Sequence, residues 1–339
     1  MLALIYGSIY NFRSGKNMNC IDCNSLTKRH GKDRKGNQRF RCLACGKTFI
    51  VPQAKMLNNM YLAEDKAVNV LQLLVEGMSV RSIERVTGVP RDTVLRLLET
   101  VGKKCLWIQE NLVKDVKVKF VQADEIWSFV GMKDKAKKAN NVEDEKVGST
   151  YTFTSIDSDS KLIVAWHLGR RTEQDAIIFL EKVYQAVNKD IWYQITTDGW
   201  PGYKHTVNEI LGAKAHFAQL VKVYGNSQSK KDEQRYSPAE CVGCVKKVVS
   251  SRPVKEKIST FYVERANLTM RMSMRRMTRL TNGFSKKWDN LNYSIALHFA
   301  HYNFCRSHKT LHGAIPAMAA NLTKTIWSLK DLLNAATHI

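Results

Sequence analysis

The run Asp124-Glu125-Ile126-Trp127-Ser128-Phe129-Val130-Gly131 opens on two adjacent acids and continues apolar, directly after a stretch in which Val116, Val118 and Phe120 alternate with lysines. A period of two is the signature of a strand, so the spacing predicts one over 114–130. Successive side chains on a strand face opposite ways. Asp124 and Glu125 are therefore expected on opposite faces, with only one of them in a given site, and Asp124 shares the face of Phe120 and Gln122.

Downstream, 151–156 and 162–168 read as two further strands joined by the turn-forming Asp157-Ser158-Asp159-Ser160. Thr172 starts a helix with Ile177, Leu180, Tyr184 and Val187 on its apolar stripe, and 192–197 makes a strand that ends at Asp198-Gly199. An acid at a strand end is where α/β folds gather their sites. A strand over 215–224 precedes a polar, lysine-rich stretch over 225–259, and a long helix begins near Thr260 with Glu264 in its first turn. On that helix Val263, Ala266, Met270, Met274 and Met277 fall on one face, read as core, while Glu264, Arg271 and Arg275 lie beside it. Seven Lys or Arg against two acids over 261–290 make a face that can hold a phosphate backbone; a solvated charged helix fits the same pattern.

Upstream, Cys20 and Cys23 precede Cys42 and Cys45, two C-x2-C pairs whose spacing is that of a four-thiolate zinc site. The residues between form at most a small hairpin with no core of its own, so zinc is expected to supply folding energy. Nine Lys or Arg against two Asp over 20–55 give this module a phosphate-binding charge, although zinc ribbons also dock proteins. From 64 to 102 the pattern gives three short helices: Ala67, Val70, Leu71 and Leu74 on the first, a second over 80–87 after the N-cap Ser79, and a third after Gly88-Val89-Pro90 with Val94, Leu97, Leu98 and Val101. A helix-turn-helix places the last of these in the major groove, leaving Arg91, Asp92, Thr93 and Arg96 as contacts. A plain three-helix bundle gives the same pattern.

The whole chain agrees with a polyanionic partner. Its 339 residues carry 53 Lys or Arg against 31 Asp or Glu, a net +22, and the length asks for more than one domain. The cations are not gathered on one amphipathic helix, and the apolar opening 2–10 is too short to span a bilayer, so no membrane role is expected. Paired cysteines at metal spacing fit a reducing compartment, the cytoplasm with its nucleoid. Residues 1–17 are expected to be an extension ahead of Met18. Cys241 and Cys244 form a third C-x2-C without a second pair nearby, and His298/His301 and His308/His312 lack the H-E-x-x-H pattern, so packed histidines and a reduced thiol pair are expected.

The acidic run at 124–131, Thr197-Asp198-Gly199-Trp200 with Tyr203, and Val263-Glu264-Arg265-Ala266-Asn267-Leu268-Thr269-Met270-Arg271 resemble the insertion sequence one family of transposases. The likeness covers nearly the whole chain after Met18, and Tyr302-Asn303-Phe304-Cys305-Arg306-Ser307-His308 looks like the closing helix of related integrases. The resemblance implies a multidomain chain: a zinc ribbon over 18–55, an all-α helix-turn-helix over 60–104, and an α/β ribonuclease H-like catalytic domain with a mixed sheet over 114–312. An insert over 225–259, absent from compact members, and a C-terminal helical tail over 313–339 complete it. It further implies an Asp-Asp-Glu triad carried by Asp124, Asp198 and Glu264. Three converging carboxylates repel unless cations neutralise them, and oxygen ligands beside phosphate favour two Mg²⁺ or Mn²⁺. Arg265, Asn267, Arg271 and Arg275 are then expected to position double-stranded DNA, and synapsis of two ends to need a homo-oligomer. A DNA-binding regulator without catalysis and a nuclease that cuts without joining remain the alternatives.

Overall fold

The computed structural model describes residues 19–20, 22–34, 36–50, 57, 60–225 and 241–335. The extension expected over 1–17 lies outside them. The chain divides into two compact units, one up to residue 55 and one from 56 onward.

In the smaller unit, β1 (Thr27–Lys32), β2 (Gln38–Cys42) and β3 (Thr48–Ile50) form an antiparallel sheet in that order. The β1–β2 turn is tied by Asp33, which accepts from the Asn37 backbone (2.8 Å) and side chain (2.9 Å). Phe40 and Phe49 stack at 6.2 Å, and beyond them Cys20 and Cys42 are the buried apolar side chains described in this unit. So little burial cannot offset the entropy of ordering the hairpin.

The larger unit begins with α1 (Glu64–Val75), α2 (Val80–Thr87) and α3 (Arg91–Leu112). The Ser79 hydroxyl caps α2 by accepting from Ser82 N (3.1 Å), and Gly88, at φ +70°, ends it in a conformation that suits glycine. The third helix outruns the expected end at 104. It continues because Gly102 sits at a close crossing, where an added Cβ would stand 2.4 Å from the Tyr293 Cβ, and Cys105 and Ile108 extend the buried stripe beyond it. The boundary expected at 104 thus falls inside one continuous helix, and the helical segment shares its core with the sheet and the C-terminal helices.

The sheet is six-stranded and mixed, built from β4 (Phe120–Val130), then after the short α4 (Asp134–Ala139) from β5 (Gly148–Asp157) and β6 (Ile163–Gly169). After α5 (Glu173–Ala186) come β7 (Tyr193–Asp198), α6 (Gly202–Leu211), β8 (Ala215–Tyr224) and β9 (Cys241–Ser250). The order is β6-β5-β4-β7-β8-β9, with β7 parallel to both β4 and β8 and the other pairs antiparallel. Within the polar stretch read as an insert over 225–259, the described residues include strand β9. Its Val242, Val245 and Val248 are spaced by three and exposed, so no alternation betrayed it; it is held by backbone pairing from Tyr224↔Cys241 to Phe217↔Ser250.

Beyond it lie α7 (Phe261–Ser273), α8 (Trp288–Phe304), α9 (Pro316–Ala319) and α10 (Leu329–Asn334). The register sorts the helices by face. Glu125, Phe153 and His167 lie across neighbouring strands, and Phe153 meets Phe179 of α5 while His167 pairs with Asp175 of the same helix. Asp124, Thr154 and Trp166 line the other face, where Asp124 meets α7 and Trp166 meets Phe299 of α8. The expected tail is no appendage: Leu329, Leu332 and Leu333 are buried in the common core, and the buried Lys104 amine donates to the Leu333 carbonyl (2.6 Å). No described helix is long and apolar enough to cross a membrane.

Candidate active site

Strand β4 carries Asp124 and Glu125 past the point where its pairing with β7 stops, at Gln122↔Thr196. Asp198 is the last residue of β7 and stands beside this open edge. Carboxylate oxygens of Asp124, Glu125 and Asp198 all lie within 4.8 Å of one another. Alternation does send Asp124 and Glu125 to opposite faces: Asp124 Oδ2 accepts from Asn267 Nδ2 of α7 (2.9 Å), while Glu125 neighbours the buried Tyr203 phenol of α6. Both carboxylates nevertheless come within reach of Asp198, because the gap beside β4 is reached from both faces. Glu125, one carbon longer, comes to it from the α6 side.

Each acid is held. Asp198 Oδ1 accepts from Trp200 N (3.0 Å), and Gln219 Nε2 of β8 donates to the carbonyls of Asp198 (3.0 Å) and Trp200 (3.3 Å), fixing the turn after β7. Arg171 reaches in from the start of α5, its Nη2 3.3 Å from Glu125 Oε2 and 3.5 Å from Asp198 Oδ2, with the guanidinium over the Trp200 ring. Burial and the nearby Asp198 charge push Asp124 up to about 6, with a smaller push from Glu264. The same two causes push Glu125 up to about 8, and its Oε1 is buried without a hydrogen-bond partner. Charge gathered beyond what one guanidinium neutralises, with an orphaned oxygen, is a donor set suited to hard divalent cations.

Glu264 stands apart from the trio. It lies in the first turn of α7, yet its carboxylate pairs with Lys222 Nζ of β8 (2.6 Å) and accepts from the Thr260 hydroxyl. Against burial, which pulls it down, the Glu264 hydrogen bond and charge raise Lys222 above the ordinary lysine range. Glu264 is near enough to act on Asp124 electrostatically without being one of the mutually close carboxylates.

The DNA-positioning residues expected beside Glu264 divide in three. Asn267 is buried and bonded to Asp124, so it braces an acid. Arg265 is exposed, whereas Arg271 is half-buried, with its pKa lowered by burial and its Nε unpartnered. Arg275 is not on the helix at all: α7 ends at Ser273, where the Thr278 hydroxyl donates to the freed Arg271 carbonyl (3.1 Å), and Arg275 begins a separate 3₁₀ turn, Arg275–Met277. On α3, Arg96 is exposed and Thr93 half-buried, while exposed Arg91 is paired to Glu84 of α2 (3.0 Å).

In the smaller unit the four sulfurs of Cys20, Cys23, Cys42 and Cys45 lie within 4.8 Å of one another, with Cys20–Cys45 at 3.7 Å and Cys23–Cys42 at 3.4 Å. Tetrahedral zinc with bonds of about 2.3 Å sets its sulfurs about 3.8 Å apart, so the thiols fit that ion. Cys241 and Cys244 bring their sulfurs to 3.9 Å on exposed β9 and gain no third ligand among the described residues. His298 and His301 pack instead: burial lowers them to about 3 and about 4.

Sequence reasoning missed Arg171 and Lys222 and set Glu125 aside. A hint lay in Arg170-Arg171, placed where a strand gives way to the N-cap Thr172.

No protein-family model matches the chain, and no curated protein does. Among solved structures, it is similar to a crystal structure of the Mos1 strand transfer complex, at 14% identity and a TM-score of 0.19, over 44% of this chain and 55% of that one. It is also similar to a cryo-EM structure of the piggyBac transposase synaptic complex with hairpin DNA, at 11% identity and a TM-score of 0.31, over 81% of this chain and 70% of that one. The alignment thus spans about half the length of the first. Superpositions this loose carry no functional weight, and function rests on the site itself.

Proposed function

We propose that the chain is a transposase, a metal-dependent enzyme that cuts DNA at the ends of a mobile element and joins them to a target. The observation that carries this reading is the convergence of Asp124, Glu125 and Asp198 at the open edge of a mixed sheet, beside a helix that bears Glu264. That arrangement agrees with the sequence resemblance to insertion sequence one transposases and with a ribonuclease H-like reading of the sheet.

Asp124 and Asp198 would hold Mg²⁺ or Mn²⁺, with Glu264 as the third acid once released from Lys222, and Glu125 close enough to share a second ion. Bound there, two such ions supply the activation of an attacking oxygen and the stabilisation of the departing one. The chain's own groups prepare the site. Asn267 fixes the Asp124 rotamer, Gln219 holds the turn that carries Asp198, and Arg171 balances charge until the phosphate arrives. Lys222 keeps Glu264 oriented. Cys20, Cys23, Cys42 and Cys45 would hold structural zinc. Arg91, Thr93 and Arg96 would read the terminal repeats, and Arg265, Arg271 and Arg275 would contact phosphates. Two element ends brought together require a homo-oligomer on DNA, working in the cytoplasm at the nucleoid.

The test is purified full chain with Mg²⁺, a duplex carrying the inverted repeats that flank the coding region, and a supercoiled target plasmid. Nicked ends and joined products are expected, with Asp124→Asn and Asp198→Asn abolishing both while a gel shift of the duplex survives. Cutting without joined product would leave a nuclease; binding without cutting would leave a regulator.

A further inference from the structure

Arg276 is a half-buried cation with no carboxylate paired to it among the described residues. Its Nη1 donates to Ser285 Oγ (3.2 Å), but Nη2 is closed to solvent and has no hydrogen-bond partner. Burial alone lowers its pKa, to about 10, and no carboxylate acts on it. A guanidinium taken out of water is costly unless an anion compensates it, so a lone one marks a place where an anion belongs.

The surroundings agree. Arg276 lines a cavity of about 770 Å³, together with Arg81, Arg275 and Lys286 and with Arg91, which is paired to Glu84, and Asp92 is the single acid in the lining. Ser79 to Arg81 and Arg91 to Asp92, the first turns of α2 and α3, also line it, adding the positive ends of two helix dipoles. The walls are pinned. An added Cβ at Gly77 (φ +83°) would stand 3.0 Å from the Met272 carbonyl, and one at Gly283 3.0 Å from the Arg275 carbonyl. Arg81, Arg275 and Lys286 are exposed, so the positive charge continues from the half-buried Arg276 out to the surface.

We infer that this cavity is a phosphate site, and that its ligand is a phosphodiester of duplex DNA held between the start of α3 and the Arg275–Met277 turn. The inference rests on the DNA-binding reading. Two features favour DNA over a free anion: exposed cations flank the half-buried Arg276, as a polyanion track needs, and the cavity adjoins the first turn of the helix expected to enter the major groove.

The test measures binding of the same repeat-bearing duplex by full-length wild type and Arg276→Met over a series of salt concentrations, with thermal unfolding of both in added inorganic phosphate. Losing one phosphate contact should reduce the slope of log K against log salt by about 0.9 and weaken binding about fivefold at 0.15 M salt. If Arg276→Met does not fold, Arg275→Gln/Lys286→Gln at the mouth is expected to lower the same slope. A wild-type melting point raised by phosphate and unmoved in Arg276→Met, with DNA binding equal in both, would keep the site but give it to a free phosphate. Equal salt slopes together with no response to phosphate would overturn the inference. Wild type that fails to bind DNA would instead sink the functional reading, and the phosphate titration would then decide the site by itself.

Discussion

At the residue scale, gathering the acids is costly for Glu125, pushed up to about 8, and for Asp124. The Asp124 carboxyl is pushed up to about 6 by burial and by Asp198, so the folded chain holds the proton more tightly than the unfolded one. The stabilisation this gives is full below the ordinary aspartate range, near 4, and is lost as pH rises through about 6. Above that the charged form carries a penalty on the order of 3 kcal/mol. Asp124→Asn removes it while keeping an acceptor for Asn267. The metal-free variant is therefore expected to melt on the order of 5 °C above wild type at pH 7.5, and level with it at pH 4, in differential scanning calorimetry. An equal gap at both pH values would contradict the origin assigned to the shift. The acids themselves were legible: a strand-borne Asp124 and a strand-ending Asp198 were both singled out, and the fold brings them together. Glu125 was not, because strand alternation says which way a side chain leaves the backbone and nothing about where the neighbouring strand stops. Nor could local pattern reveal that Lys222, 42 residues before Glu264, would claim its carboxylate.

Among the elements, those with a clear period were readable and those held from outside were not. Helix α2 and strands β5 to β8 follow their apolar spacing and cap residues closely, while β4 starts at Phe120, six residues after the alternation expected from 114. The continuation of α3 to Leu112 depends on Tyr293 filling the space over Gly102, a contact almost two hundred residues away in sequence. Strand β9 depends on backbone bonds to β8, and α6, which has no marked N-cap side chain before it, was passed over. The cysteine unit makes the opposite case, since spacing alone told of four converging thiols. With so little apolar burial of its own, that sheet is expected to depend on the ion. Chelation, or Cys42→Ser, should abolish the amide protection of β1 to β3 in hydrogen exchange while that of β4 to β8 stays unchanged. Protection of β1 to β3 surviving zinc removal would show that the unit folds without it.

Across the whole molecule the net charge is +22, yet three acids meet at one point of the sheet, with Arg171 and Lys222 paired to the acids there. It is composition that points to a polyanionic partner. The sharing of one core between the helical segment and the sheet was not legible, because it rests on α3, α8 and α10 packing together from distant parts of the chain. The central claim is that the carboxylates of Asp124 and Asp198 form a divalent-metal centre. The most direct test is a Mn²⁺ titration of the full chain followed by electron paramagnetic resonance, in wild type, Asp124→Asn, Asp198→Asn, Glu125→Gln and Glu264→Gln. The account predicts that wild type takes up Mn²⁺ at a site lost in both aspartate variants, and that the weaker of the two glutamate variants identifies the third ligand. Undiminished Mn²⁺ uptake by Asp124→Asn and Asp198→Asn would contradict it.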